Sequence, residues 1–537
     1  MRKRLSRLLA AAVVLCALPL LLAACAGRQA EDGLDEGTLR IGVAKDIRGF
    51  DVQNYSLSAL EAVHVNVFNH LVRWDGDMRV QPDLAASWER RDARTWRFRL
   101  RRDVRWHNGD PLVAEDVRYT LERAARDDTV TDPNYRIIER VDVIDAHTLD
   151  VVTRQDDPML LSRLARVGSY IMPSRYIRER GFPHFLAHPI GTGPYRVQSW
   201  TKDDRVVLGA NADYFGGTPR WRTVVVRAIP DDSTRVSELL TGGVDVAVGI
   251  PAPDVARIER DEGLRIVTGP SQRIMQLLVR TSPGYATHDP GVRRALALAI
   301  DAGLLCEAIF DGRATPTSAL VPPGSVGFDP ALHESTAANP AAARALLARA
   351  APGGAVEIGM VATSGVYGQD KEIALAVASM LENAGFRVDL ELLDGTQFNR
   401  LVRQRRMPEL YMVGYTNSMF DGQVSLQRFS ATAGGGASDY ANPAYDELLL
   451  RAGAEMDAGI RQALLLDAQA MVARDLPAIP LFQYPDVYGI DARLRFSPAP
   501  DELIRADAIL LDERGAAPVA RPHVRGAPAG PSGTTGA

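Results

Sequence analysis

The chain has 537 residues, of which 24% are charged and 46% hydrophobic, and its formal net charge is −5. This length exceeds what one hydrophobic core can organise, so two or three lobes are expected. A mildly acidic chain without a basic run is not expected to bind nucleic acid. Of its three cysteines, only Cys306 lies in the body of the chain, so it is predicted to be a small buried hydrophobic residue without a disulfide partner.

The first 25 residues have the pattern of an export signal. Four basic residues are followed by an apolar run from Leu8, which ends in Leu22-Ala23-Ala24 before Cys25 and matches a bacterial lipobox. We predict a signal peptide over residues 1–24, lipidation of Cys25, and a polar tether over residues 25–37. The mature chain would then be anchored by lipid to the outer, periplasmic side of the cytoplasmic membrane. An ordinary secretory signal and an uncleaved N-terminal helix are the alternatives.

Short strands and helices alternate through the body of the chain, which indicates an α/β protein. The predicted elements of the first half are a strand at 38–44, a loop at 50–55, a helix at 58–68, a half-buried hairpin over 96–106, a helix behind Glu115-Asp116, a strand at 144–153 and a helix at 159–166. Those of the second half are helices at 292–301, 341–350, 373–384 and 461–474 and strands at 386–393 and 476–482.

No residue pattern predicts a catalytic, metal or cofactor site. His64 and His70 are six residues apart, which is wrong for one helical face, and His107 lies in a turn, so all three are expected to be structural. The glycines of Gly191-Thr192-Gly193 are expected to form a tight turn, because Pro194 and a strand follow them where a phosphate loop would continue into a helix. Gly-x-Ser-x-Gly and His-Glu-x-x-His are absent from the sequence, although a dispersed hydrolase site remains an alternative.

Four motifs follow one another between Leu84 and Val117: Leu-Ala-x-Ser-Trp, Trp-x-Phe-x-Leu-Arg, Val-x-Trp-His-Asn-Gly-Asp-Pro and Ala-Glu-Asp-Val. Their order resembles the family 5 extracellular solute-binding proteins, the peptide- and nickel-type receptors of ABC importers. Further matches at 189–197, 211–217, 229–235, 239–246 and 476–482 extend the resemblance over residues 38–509.

The resemblance implies a type II periplasmic-binding-protein-like fold, in which two α/β lobes joined by crossing strands close on a ligand. It assigns residues 38–60, 188–271 and 484–515 to the first lobe, 61–187 to an extra subdomain of that lobe and 272–483 to the second lobe. Residues 516–537 are rich in Ala, Pro and Gly, so we expect them to be disordered.

The resemblance also implies a function without catalysis. The chain is expected to capture peptides or peptide-like solutes outside the membrane and to deliver them to an ABC permease and its ATPase, with no cofactor. A receptor for a nickel chelate, an oligosaccharide or an opine is the alternative within the family. A signalling receptor without transport is a further one.

The expected ligand site centres on the segment Met412–Asp421. Tyr415 matches an aromatic residue that lines the site in peptide-binding relatives. Ser418 occupies the position at which those relatives carry an aspartate for the peptide's α-ammonium group, so capture of the amino terminus by that route is not expected. The acidic position that Asp421 matches is usually structural. The remaining expected ligand-binding residues are Asn417, Met419 and Tyr55.

Three other positions bear on the subtype. Ser364 and Ser169 occupy the approximate positions of arginines that serve dipeptide and nickel-chelate binders, so neither specialised subtype is expected. Arg280, where relatives often have asparagine, is expected to form an ion pair, with an anion clamp as the alternative.

Overall fold

The computed structural model describes residues 37–53, 61–126, 133–166, 168–334, 337–352, 355–431 and 438–512. The predicted signal peptide, Cys25, Tyr55 and the C-terminal tail lie outside these residues. Within the described part of the chain, no helix combines the length and the apolar composition needed to cross a membrane.

The described residues form 19 strands and 16 α-helices. The strands are β1 Thr38–Val43, β2 Val72–Trp74, β3 Val80–Pro82, β4 Ala85–Arg90, β5 Thr95–Leu100, β6 Ile138–Asp145, β7 Thr148–Thr153, β8 Tyr195–Thr201, β9 Arg205–Ala210, β10 Thr223–Ala228, β11 Val246–Val248, β12 Leu264–Val279, β13 Thr315–Pro316, β14 Val356–Thr363, β15 Phe386–Leu393, β16 Leu410–Thr416, β17 Ala478–Asp491, β18 Leu494–Arg495 and β19 Leu510–Leu511. The helices are α1 Glu61–Val67, α2 Ala114–Ala124, α3 Leu160–Ala165, α4 Ser174–Arg180, α5 Phe182–Ala187, α6 Asp232–Leu240, α7 Ala252–Glu259, α8 Pro290–Ala299, α9 Ala302–Phe310, α10 Pro330–His333, α11 Pro340–Ala350, α12 Asp370–Asn383, α13 Gly395–Arg403, α14 Gly422–Leu426, α15 Pro443–Ala454 and α16 Ala458–Asp475.

Two long strands hold the two halves of the molecule together. The largest sheet has the strand order β15-β14-β16-β12-β17-β11-β1-β10-β9-β8, with β13 paired beside β17. We call the part built on β11, β1, β10, β9 and β8 the first lobe, and the part built on β14, β15 and β16 the second lobe. The strands β12 and β17 run antiparallel through both parts, so they are the crossing strands expected of a hinge.

The pairing of these crossing strands is interrupted at the point where they pass from one lobe to the other. Residues 264–270 of β12 pair with residues 485–491 of β17, and pairing resumes at Ile274 with Gln483 after a shift in register. Each lobe has its own hydrophobic core on either side of this interruption. A local break in a two-strand connection lets the strands bend or twist without unpacking either core.

A smaller four-stranded sheet, in the order β4-β5-β7-β6, forms a subdomain with α2 and α3. Its sequence folds this way because apolar residues alternate along the strands and recur at helical spacing in α2. The core includes Phe98, Leu121, Leu149 and Leu164, all fully buried. The predicted helix behind Glu115-Asp116 is confirmed as α2.

Two strand predictions are wrong. Residues 96–106 are not a hairpin, because β5 is already paired on one side with β4 and on the other with β7, and Val104 and Trp106 lie buried in a loop. Residues 144–153 are not one strand, because the chain turns at Ala146 and His147 between β6 and β7. The Asp145 carboxylate closes this turn by accepting a hydrogen bond from the His147 amide at 2.7 Å.

The glycines at 191 and 193 permit a close approach of two backbone segments. A Cβ at Gly191 would lie 1.8 Å from the Val67 carbonyl oxygen, and a Cβ at Gly193 would be 2.6 Å from the Val67 carbonyl carbon. His107 fastens the same turn, because its Nδ1 accepts from the Gly191 amide at 3.1 Å and its Nε2 lies 3.1 Å from the Gly193 carbonyl oxygen. Burial lowers the pKa of His107 to about 4, so the neutral ring is the stable form. The expected structural role is confirmed.

Other isolated residues also serve the fold. His70 stacks on Tyr170 with 3.9 Å between the ring centroids, and burial lowers its pKa to about 3. His64 lies 2.9 Å from the Gly49 carbonyl oxygen through its Nε2. Cys306 is buried, and its burial raises the thiol pKa to about 12, as expected of a small core residue rather than a reactive thiol.

Candidate functional site

Residues 417–420, which follow β16, form a loop that we call the contact loop. Its first residue anchors the loop to the second lobe: the Asn417 amide nitrogen donates to the Gln272 carbonyl oxygen at 3.0 Å, and its side-chain nitrogen donates to the Ser325 hydroxyl at 3.1 Å. Asn417 is only 1% exposed. Its side chain therefore positions the loop in this structure and does not face solvent.

The other three residues of the contact loop touch the small-sheet subdomain. The Arg166 Nη2 donates to the Ser418 hydroxyl at 3.3 Å. Met419 packs in an apolar cluster with Met159. Phe420 meets the ring of Trp74 edge-on, with 4.7 Å between centroids, and belongs to the subdomain core. The predicted residues Ser418 and Met419 thus lie where the second lobe meets the opposite side of the molecule.

A buried ion pair supports the contact loop from behind. The two oxygens of Asp421 accept hydrogen bonds from Arg461 at 2.6 and 2.7 Å, and both side chains are 4% exposed. Asp421 also caps α14 by accepting from the Gln423 amide at 2.9 Å. Both oxygens of this carboxylate are thus occupied by Arg461 and the helix cap, which agrees with the structural role expected for it.

Tyr415 lies half-buried at the end of β16, against the cluster that contains Met159 and Met419. Its hydroxyl donates to the Val424 carbonyl oxygen at 3.1 Å, so its ring orientation is fixed. The guanidinium carbon of Arg428 lies 3.8 Å from the centre of this ring, in cation–π geometry. The predicted aromatic residue is therefore next to a buried cation that sequence analysis missed.

Charged residues of both signs lie near the interruption in the crossing strands. The Arg273 Nε donates to the Thr416 hydroxyl at 3.1 Å, and its guanidinium lies 5.9 Å from the Tyr367 ring centre. Asp486 lies on β17 opposite Gly269. Burial, and then the charge of Glu502, raise the pKa of Asp486 well above its usual value, while Arg273 opposes the shift. These groups could interact with a polar ligand beside the hinge.

These charged residues could not be recognised from the sequence, because an isolated charge between unlike neighbours carries no periodic signal. Arg428 stands in the segment Gln427-Arg428-Phe429-Ser430, and Asp486 stands within a strand. Their environments are built by residues that are remote in the chain. The one signal available in the sequence was a single charged residue among uncharged neighbours.

The structure also shows the surroundings of Arg280, Ser169 and Ser364, the three positions that bear on the subtype. Arg280 forms the expected ion pair, with its Nε 3.1 Å from the Asp439 carboxylate. Ser169 is buried, and its hydroxyl donates to the Leu164 and Arg166 carbonyl oxygens, so it does not line the contact between the lobes. Ser364 is exposed.

Cavities are also present away from the contact loop. A polar cavity of about 290 Å³ is lined by residues that include Asn69, Asp83, Tyr214 and Arg505. A more apolar cavity of about 170 Å³ is lined by parts of α8, α16 and β17. Neither includes residues from both sides of the contact loop, so closure of the lobes would not enclose a ligand in either one.

Comparison with known proteins identifies the family. Residues 79–437 match the model of the bacterial extracellular solute-binding proteins, family 5 Middle. The chain belongs to this family. The family-5 resemblance in the motifs between Leu84 and Val117 is thereby confirmed, and members of this family are binding proteins rather than enzymes.

Related solute-binding proteins cover most of the chain. The glutathione-binding protein GsiB of Pectobacterium atrosepticum is 26% identical over 459 residues, which cover 82% of this chain and 87% of that protein. The di/tripeptide-binding protein 2 of Pseudomonas aeruginosa is 26% identical over 478 residues, or 83% and 89% of the two chains. The structure of the periplasmic binding protein DppA from Helicobacter pylori, in complex with the peptide STSA, superposes with a TM-score of 0.73 at 23% identity and covers 88% and 98%. The two-lobed fold of this solute-binding protein is therefore confirmed.

Proposed function

We propose that this solute-binding protein captures peptides or peptide-like solutes between its lobes, outside the membrane, and delivers them to the permease and ATPase of an ABC importer. The main observation behind this proposal is the contact loop of the second lobe. On the other side of the molecule it contacts Arg166 through Ser418 and Trp74 through Phe420. A ligand beside this loop would touch both lobes and would stabilise their closed arrangement. The names of the relatives, glutathione- and di/tripeptide-binding proteins, support the same ligand class.

The division of the chain follows from this proposal. The lobes would move about the junctions 271/272 and 483/484, beside the interruption in the crossing strands. The first lobe would comprise 38–60, 188–271 and 484–515, with 61–187 as its extra subdomain, and the second lobe would comprise 272–483. The chain would be held at the periplasmic side of the membrane through lipid on Cys25.

Peptide recognition in such a cleft relies on main-chain groups. A peptide in extended conformation can pair with exposed strand edges, which supplies affinity that is independent of its side chains. Water can then satisfy polar side chains of varied size. Tyr415 and Ser418, which are half-buried, are proposed to contact the ligand together with Tyr55 from the first lobe. Asn417 and Met419, at 1% and 2% exposure, would hold the loop in place. The protein would bind and release its ligand without a chemical step.

The proposal is tested by thermal unfolding of the ligand-free protein with a panel of di- to hexapeptides. A ligand at 100 times its dissociation constant stabilises the native state by about 2.7 kcal/mol. The peptide that raises the melting temperature should also decrease the radius of gyration in solution scattering. A panel without any effect, beside a clear effect of a nickel–histidine chelate, an opine or an oligosaccharide, would reject the peptide class.

A further inference from the structure

Within the described part of the chain, the Arg428 guanidinium is a buried cation without a counter-charge. Arg428 is 8% exposed, and its Nε and Nη1 are buried without a hydrogen-bond acceptor. Among the described residues, no carboxylate forms an ion pair with it. An unpaired buried charge is costly to a fold, so its presence requires a compensating interaction.

Three tyrosines surround this guanidinium but do not supply a negative charge. Tyr415 offers its ring face at 3.8 Å, and Tyr411 and Tyr367 also lie close enough to interact electrostatically. The hydroxyls of Tyr415 and Tyr367 donate to the carbonyl oxygens of Val424 and Gly414. Burial raises the pKa of Tyr411 to about 12, so this group is neutral at physiological pH. Ring faces compensate only part of the cost of desolvating a cation.

The location of this cation relates it to the ligand. Tyr415, which covers one face of Arg428, packs against the cluster of Met159, Met419 and Val424 where the two sides of the molecule meet. Tyr415 and Tyr367 are both half-buried, so the rim of the site is accessible to a group that enters between the lobes. Asp421, the nearest acidic residue in sequence, is fully engaged by Arg461.

We propose that Arg428, stacked on Tyr415, binds a carboxylate of the ligand. A planar guanidinium can donate two parallel hydrogen bonds to a carboxylate, and such a pair is strongest where water is excluded. This inference rests on the proposed function, in that the carboxylate belongs to the captured peptide. Either the C-terminal carboxylate or an acidic side chain has the required chemistry.

The first test measures affinity by calorimetry for trialanine and for trialanine amide. The wild-type protein should bind the free carboxylate at least about tenfold more tightly than the amide. In Arg428→Met this ratio should fall to within about twofold. The matched control is Arg280→Met, because Arg280 also lies over a tyrosine, at 4.8 Å from Tyr285, but already has Asp439 as its partner. The control should keep the wild-type ratio.

A second pair of ligands distinguishes the source of the carboxylate. Ala-Glu-Ala amide and Ala-Gln-Ala amide differ in one side-chain carboxylate and lack a C-terminal one. A preference for the first peptide that is lost in Arg428→Met assigns the site to an acidic side chain. A preference for trialanine over its amide that is lost in the same variant assigns the site to the C-terminus.

The stability of the ligand-free variants separates a ligand site from a structural role. Removing an unpaired buried charge should leave the melting temperature of Arg428→Met unchanged or higher. If Arg428→Met unfolds at a lower temperature, or if it keeps the wild-type preference for carboxylates, the inference is wrong. Arg428→Lys, which keeps the charge without the planar fork, should retain part of the preference.

Failure of the proposed function would give a different result from failure of the carboxylate site. A wild-type protein that binds none of these peptides would reject the peptide class without any use of the variants. Succinate then replaces the peptides as the probe for Arg428. It should raise the melting temperature of the wild type but not that of Arg428→Met, and an equal effect on both would overturn the carboxylate site.

Discussion

Replacing Asp421 tests how the contact loop is supported. In Asp421→Asn the side-chain oxygen can still cap α14, but Arg461 loses its charged partner. Both side chains are 4% exposed, and their two hydrogen bonds measure 2.6 and 2.7 Å. Breaking a buried pair in this way costs about 3–5 kcal/mol, because one charge remains desolvated and unpaired. With a urea dependence of about 3 kcal/mol per M, the unfolding midpoint should fall by about 1–2 M.

The assay is urea unfolding of the ligand-free protein followed by far-ultraviolet circular dichroism. Circular dichroism follows the helices of both lobes, whereas all six tryptophans precede residue 222 and therefore lie outside the second lobe. Arg461→Met should destabilise by a similar amount, and the double variant Asp421→Asn/Arg461→Met should lose much less than the sum of the two. Non-additivity of this kind would show that the cost is the unpaired charge.

The matched control is Arg387→Met, which removes a surface pair. Arg387 lies 2.6 Å from Glu357, but both side chains are 71% exposed, so water and salt screen the interaction. Its midpoint should remain near that of the wild type. If Asp421→Asn shifts the midpoint as little as the control does, the buried pair does not support the loop and the reasoning fails.

Three further predictions concern ligand, pH and membrane. Acetylating the amino group of a bound peptide should weaken binding less than tenfold, under about 1.4 kcal/mol, because Ser418 carries no charge and already accepts a hydrogen bond from Arg166. The imidazole of His107 is protonated below its usual pKa of 6.5 in the unfolded chain, but only near its lowered pKa of about 4 in the native protein. The native state therefore loses stability as the pH falls from 6.5 to 4. His107→Gln should remove this part of the stability loss. Cys25→Ser should release the protein from membranes into the soluble fraction.

Each of these predictions has a contradicting result. A loss above about tenfold on acetylation, measured by calorimetry, would show that a carboxylate holds the ammonium group, with Asp486 beside Glu502 as the first candidate. Identical pH slopes for wild type and His107→Gln in urea titrations would contradict the buried neutral histidine. A Cys25→Ser protein that stays in the membrane fraction and still incorporates labelled palmitate would exclude lipidation at this residue.

Much of the fold follows from local sequence signals. The strand predicted at 386–393 coincides with β15, because its apolar and polar residues alternate, and the helix predicted at 373–384 lies within one residue of α12 at its C-terminal end. The errors at 96–106 and 144–153 have one cause. Alternation predicts extended chain but not which strands pair, and pairing determines where a strand ends and a turn begins.

The candidate site could be predicted only in part. The motif around Tyr415 and Ser418 identified the contact loop, because a sequence motif marks a position even when the residues that contact it are distant in the chain. The environment of Arg428 could not be predicted, because Tyr367 and Tyr411 come from two other segments and the lack of a carboxylate among its described neighbours is a property of the packed structure. Likewise, the interaction between Asp486 and Glu502 depends on how the chain returns to the hinge.

Enclosure of a peptide between the lobes of this solute-binding protein can be measured by native mass spectrometry. Ligand-stripped protein is incubated in one equimolar mixture of short peptides, a nickel–histidine chelate, an opine and an oligosaccharide. The mass of the bound species identifies its chemical class without a labelled probe. We expect a one-to-one complex with a peptide that carries a free carboxylate. A complex with any other class, or no complex, would show that the protein does not enclose peptides.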